Sequence, residues 1–250
     1  MPLSLRVATL VLGGALVAWI VTVERMRGMD AGPGTDLGGL GWFLGLWVTM
    51  MAAMMLPSAA PMALFFGHVS SAGRTAIFLA GYLLAWTAYG LVAFGLYRAI
   101  GAFDLGFLSW GEQGPLVAGA AIAFAGAYQL TPLKKACLRH CRAPLHFVRR
   151  RWRDGGVGAL GMGLEHGLFC VGCCSGLMLI LFAVGAMSLV WMALIAGLIF
   201  AEKVLPFGAR LPALLAVSFV LLGAWVATAP GSVPGLTQPG EAPAMQMHRS

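Results

Sequence analysis

Three thiols, an imidazole and a carboxylate stand together in the run Glu165-His166-Gly167-Leu168-Phe169-Cys170-Val171-Gly172-Cys173-Cys174. The run lies inside an apolar stretch long enough to cross a membrane. Such groups are costly in hydrocarbon, so a cluster of them within a span marks a functional site. Thiolate and imidazole are soft and borderline donors, which suit copper or zinc rather than calcium or magnesium. On a helical wheel with His166 at zero, Met162 falls at about −40°, Cys173 at about −20°, Cys170 at about +40° and Cys174 at about +80°. One stripe about 120° wide thus carries Met, His and three Cys, with Glu165 at its edge. At a rise of ~1.5 Å per residue the donors climb the helix like rungs, which suits passing an ion along as well as holding one.

A second sulfur-rich run is Trp47-Val48-Thr49-Met50-Met51-Ala52-Ala53-Met54-Met55-Leu56-Pro57-Ser58. Met50/Met54 and Met51/Met55 are i, i+4 pairs, each stacked on one helix face. Thioethers bind Cu(I) without losing a proton and are ordinary apolar groups when buried. Taken alone, a methionine stripe or a single cysteine is usually packing. The conjunction points to a metal: Met, His and three Cys on one helix face, at the same depth as four clustered methionines on another.

Other polar residues carry two readings each. Cys137-Leu138-Arg139-His140-Cys141 is either a cytoplasmic-side metal port or a reduced interfacial thiol pair among basic residues. Its spacing matches no standard zinc motif. Glu202-Lys203 is either an interfacial ion pair with a snorkelling lysine or a carboxylate partner for His166 at similar depth. The Met245-Gln246-Met247-His248 string resembles a metal-catching tag on the outer side.

The elements that position these groups are spans. Of 250 residues, 60% are hydrophobic and only 10% charged, and mean hydropathy is +0.86. Soluble domains carry about 25% charged residues, so this composition specifies an all-α polytopic membrane bundle. About 20 apolar residues cross ~30 Å of hydrocarbon. Seven stretches qualify, at 6–23, 40–66, 75–97, 115–133, 159–184, 188–205 and 210–229, the second interrupted by Pro57 and Pro61. No small-x-small cleavage site follows the first, which reads as a retained helix. Eight of the sixteen Lys and Arg residues crowd the loop within 134–157, which places it in the cytoplasm. Alternation then puts twelve of them inside and four outside, with the N-terminus cytoplasmic and the C-terminus extracytoplasmic. The net charge of +7 is therefore a membrane signal and not a nucleic-acid one. Residues 1–229 read as one transmembrane helical domain, and 230–250, rich in Pro, Gly, Ala and Gln, as a disordered extracytoplasmic tail. The spacings Gly41/Gly45 and Gly172/Gly176 read as helix-packing notches.

Four blocks occur in order: the run from Trp47 to Ser58; Tyr128-Gln129-Leu130-Thr131-Pro132-Leu133-Lys134 with Cys137 and Cys141; Gly163-Leu164-Glu165-His166 through Cys174; and Glu202-Lys203-Val204-Leu205-Pro206-Phe207-Gly208. From about Trp42 to about Gly208 the chain resembles the bacterial DUF2182 family of predicted metal-binding integral membrane proteins. That family includes a membrane protein described as a copper chaperone for a tyrosinase-type oxidase. The resemblance implies metal binding, and the positions that match its motifs are the Met run, Cys137, Cys141, His166, Cys170, Cys173, Cys174 and Glu202. Ser175 departs from the bulkier residue, often Trp, that the family pattern has there.

Together these readings describe a multi-pass protein of the cytoplasmic (inner) membrane that binds Cu(I), zinc being the weaker fit, and delivers it to a client copper enzyme. The partners are the metal ion, the lipid bilayer and that client, with no nucleic acid. No P-loop is present, so any transfer is passive or partner-driven, and a carrier is expected rather than an enzyme. The rival from another class is a membrane thiol–disulfide oxidoreductase using Cys170-x-x-Cys173.

Overall fold

The computed structural model describes residues 3–27, 38–102, 114–184 and 188–233, and among them every regular element is helical. Ten α-helices follow in order: α1 (Leu3–Ala8), α2 (Gly14–Met26), α3 (Leu40–Val69), α4 (Ala72–Ala102), α5 (Gly114–Tyr128), α6 (Pro132–Cys141), α7 (Pro144–Arg151), α8 (Gly155–Val184), α9 (Leu189–Val204) and α10 (Leu211–Thr228). A π turn at Thr9–Gly13 joins α1 to α2 without a break, so Ser4–Met26 runs as one candidate span. Among the described residues five helical stretches are long and apolar enough to cross a membrane: Ser4–Met26, Leu40–Val69, Ala72–Ala99, Gly155–Ala183 and Leu211–Thr228. The residues of the tail from 234 onward, with the Met245–His248 string, lie outside the described residues.

The fourth expected stretch, 115–133, is bent. Helix α5 stops at Tyr128, and α6 sets off at 65° to it. Thr131 and Pro132 supply the reason. Proline has no N–H to continue the first helix but is well placed at the first position of the next. The Thr131 hydroxyl caps that helix by accepting the Lys134 backbone N–H at 3.3 Å. Counted as one broken span, α5 and α6 make a sixth candidate. Helix α9 has 16 residues, about 24 Å of helix, which is shorter than the hydrocarbon. The basic segment after α5 is folded into two short helices, α6 and α7, rather than an open loop. Pro57 and Pro61 both sit within α3, which stays helical across them.

The core forms where α4 packs along α8, α3 against α4 and α9, and α5 against α8 and α10. Helices α4 and α8 approach closely because Gly163 offers no side chain where a Cβ would run into the Phe78 backbone. The expected notch at Gly172/Gly176 faces α5 and α6: a Cβ at Gly172 would lie 2.7 Å from Cys137 Sγ, and one at Gly176 would lie 2.9 Å from the Tyr128 ring. Tyr128 Oη adds a 2.5 Å bond to the Gly172 carbonyl. Gly41 is no notch among the described residues, since nothing lies within 4 Å of where its Cβ would stand.

Candidate metal centre

Helix α8 presents Cys170, Cys173 and Cys174 to the core at 0–1% exposure. Their three sulfurs all lie within 4.8 Å of one another. Cys173 Sγ is 3.5 Å from Cys174 Sγ, and its thiol lies 3.2 Å from the Cys170 carbonyl one turn earlier. Thiolate–metal bonds of ~2.3 Å, taking zinc as the scale, allow two sulfurs on one ion to be up to ~4.6 Å apart. The trio needs only a few tenths of an ångström of adjustment to share an ion.

Helices α3, α4 and α9 converge on Cys170. Lys203 Nζ on α9 lies 2.8 Å from Cys170 Sγ and 3.3 Å from Ser58 Oγ on α3. Tyr82 Oη on α4 lies 2.9 Å from the same sulfur. Lys203 is 8% exposed, and among the described residues it makes no ion pair with a carboxylate. Its neighbour Glu202 faces elsewhere: both carboxylate oxygens accept from Lys134 Nζ on α6, at 2.8 and 2.9 Å. Lys134 also donates to Gln129 Oε1. Arg142 covers the carbonyl end of α9, donating to the backbone carbonyls of Glu202 and, at 2.9 Å, Leu205. With Glu202 engaged by Lys134, the Cys170 sulfur at 2.8 Å is one group that can carry charge balancing Lys203. A buried ammonium needs such a partner, since an unpaired charge in the interior is very costly.

The remaining predicted donors divide. Met50, Met51, Met54 and Met55 of α3 are all at most 3% exposed and share one contiguous core with the three cysteines. Met178 of α8 and Met192 of α9, which the sequence reading did not single out, are buried in that same core. His166 is buried one turn before Cys170, among the rings of Phe78, Tyr82 and Phe147 at 5.4–5.9 Å. Its Nδ1 has no hydrogen-bond partner, an uncommon condition for a buried nitrogen. It is not one of the three donors grouped within 4.8 Å. Glu165 turns away from the sulfurs to Arg151 at 2.8 Å and Arg153 at 3.6 Å. Cys137 is buried against Gly172, and Cys141, half-buried at the end of α6, brings its sulfur within 3.8 Å of Cys173 Sγ.

A family model for the PpoB2 proteins, described as copper chaperones, matches residues 44–226. The chain belongs to this copper chaperone family. No curated protein sequence and no solved structure matches it. The matched stretch begins within the first turns of α3 and ends within the last turn of α10, so it contains every sulfur of the cluster together with Tyr82 and Lys203. The donor set fits a soft metal such as copper, because thiolates and thioethers favour Cu(I), zinc and iron–sulfur clusters over hard cations.

Tyr82, Ser58 and Lys203 as partners of the cluster were missed by sequence reasoning. Lys203 carried a faint signal, a cation at the edge of an apolar stretch, but the reading of such a residue is ordinarily snorkelling. Ser58 carried none, since a serine hydroxyl in a span commonly bonds its own helix backbone, as it does to the Met55 carbonyl at 2.9 Å, and Tyr82 reads as one more aromatic of an apolar span.

Proposed function

We propose that the protein is a Cu(I) chaperone of the cytoplasmic membrane that holds copper on Cys170, Cys173 and Cys174 and delivers it to a client copper enzyme. It crosses the bilayer seven times, counting the bent pair α5–α6 and the short α9, with its N-terminus inside. The observation that carries the reading is a buried group of three thiols in a core that also holds four methionines of α3. Lys203 supplies positive charge beside the thiols, 2.8 Å from Cys170 Sγ, and it matches Cu(I) held by two thiolates with the third cysteine kept as a neutral thiol. Two thiolates with Cu(I) carry one negative charge, which a single ammonium cancels, and charge cancellation is what a low-dielectric interior demands. His166, with its unpartnered Nδ1, and the thioethers supply further donors along the path. Anaerobic purification followed by metal analysis tests the proposal. One copper per chain is expected in the native protein, and near zero after Cys170→Ser with Cys173→Ser. Unchanged copper in the double variant refutes it.

A redox reading draws on one specific contact, since a lysine 2.8 Å from Cys170 Sγ is how a nucleophilic thiolate is prepared. Burial opposes it, because Cys170 and Cys173 are 0% exposed and a substrate disulfide has no approach in this conformation. Rapid alkylation separates the two. Trapped mixed disulfides favour redox chemistry, and protection of the thiols only by copper favours the chaperone.

A further inference from the structure

The sulfurs do not end at the buried trio. Cys174, Cys173 and Cys141 form a line with successive separations of 3.5 and 3.8 Å. Exposure changes along it: Cys174 and Cys173 are buried, and Cys141 is half-buried. Cys141 belongs to another element, the last residue of α6, where the chain turns towards α7. Helix α6 is held in that place by buried contacts of its own. Lys134 pairs with Glu202 at 2.8 Å, and Cys137 seats against Gly172 of α8. The turn is bordered by exposed Lys135, Arg139, Arg149 and Arg150.

Resting on the copper reading above, we propose that Cys141 is the exchange ligand of the centre, the thiol through which Cu(I) passes between the buried trio and a thiolate-bearing carrier at the basic face. An ion held by Cys173 and a deeper sulfur gains a bond to Cys141 while its bond to the deeper sulfur breaks. The Cys141 thiol proton moves to the sulfur that lets go, so the charge of the site is unchanged and copper remains Cu(I). Cys173 stays bound throughout, because it is the sulfur within reach of both neighbours. The exposed basic residues favour an anionic carrier by raising its local concentration. A partly exposed ligand at the end of α6 allows an outside thiolate to attack without first opening the helix bundle.

The test uses the full chain in detergent, loaded anaerobically with Cu(I) and mixed with excess bathocuproine disulfonate, an anionic Cu(I) chelator followed by its absorbance. The Cys141→Ser protein should retain the same copper per chain yet release it at least ~10-fold more slowly, a barrier higher by about 1.4 kcal/mol. Release at the native rate overturns the proposal, as does loss of copper at equilibrium, which would make Cys141 a resident ligand. Native protein that binds no copper overturns the underlying reading and this one with it. An independent measurement needs no variant. A charged maleimide should modify Cys141 of the copper-free protein before Cys170, Cys173 or Cys174, and that modification should reproduce the slow release. First reaction at any of the buried three would place the route elsewhere.

Discussion

Replacing Lys203 by Met tests the charge logic of the centre. The substitution keeps length and apolar bulk while removing the ammonium 2.8 Å from Cys170 Sγ. In the copper-free protein the loss is cushioned, because the Cys170 sulfur can take up a proton and become neutral. With copper bound that escape is closed, because the sulfur must remain a thiolate to hold the ion. The loss therefore falls mainly on the loaded state. A hydrogen bond to a charged group contributes ~1.5–3 kcal/mol, and each 1.4 kcal/mol is tenfold in affinity. Lys203→Met should therefore weaken Cu(I) binding by roughly 10- to 150-fold, measured by anaerobic competition against a chromophoric chelator. Lys203→Arg, which keeps the charge, should lose less. Affinity unchanged or improved in Lys203→Met would refute the argument that this ammonium balances the metal–thiolate charge.

Two further perturbations probe the frame that holds the sulfurs. Glu202→Gln leaves the Lys134 ammonium, 1% exposed, without its anion, and breaking a buried pair in this way costs ~3–5 kcal/mol. Unfolding in detergent should show most of that loss, and the double change Lys134→Met with Glu202→Gln should recover part of it; equal stability of single and double variants would contradict the pairing. Gly163→Leu places a side chain where even a Cβ meets the Phe78 backbone, so α4 and α8 must separate. Overpacking of this kind costs ~1–3 kcal/mol or more, and because Tyr82 and Cys170 lie across the same seam, a fall in unfolding temperature should be accompanied by weaker copper retention.

Sequence alone determined the helical class, the family resemblance and the stripe on α8 that carries His166, Cys170, Cys173 and Cys174. These follow from local rules: helix periodicity decides which residues of one segment share a face, and apolar length decides which segments can span. The Thr131-Pro132 pair at the α5–α6 bend is a helix-start signal of the same local kind, although a continuous apolar stretch concealed it from a hydropathy reading. Periodicity does not say which other helix a face meets. Only the tertiary structure set Lys203 of α9, Tyr82 of α4 and Ser58 of α3 around the cysteines, paired Glu202 with Lys134, turned Glu165 out to Arg151 and brought Cys141 up to Cys173. Each of those contacts joins different helices, and is chosen by the packing of whole helices, through glycine seams such as Gly163 and Gly172, which a one-dimensional pattern of polar and apolar residues does not encode.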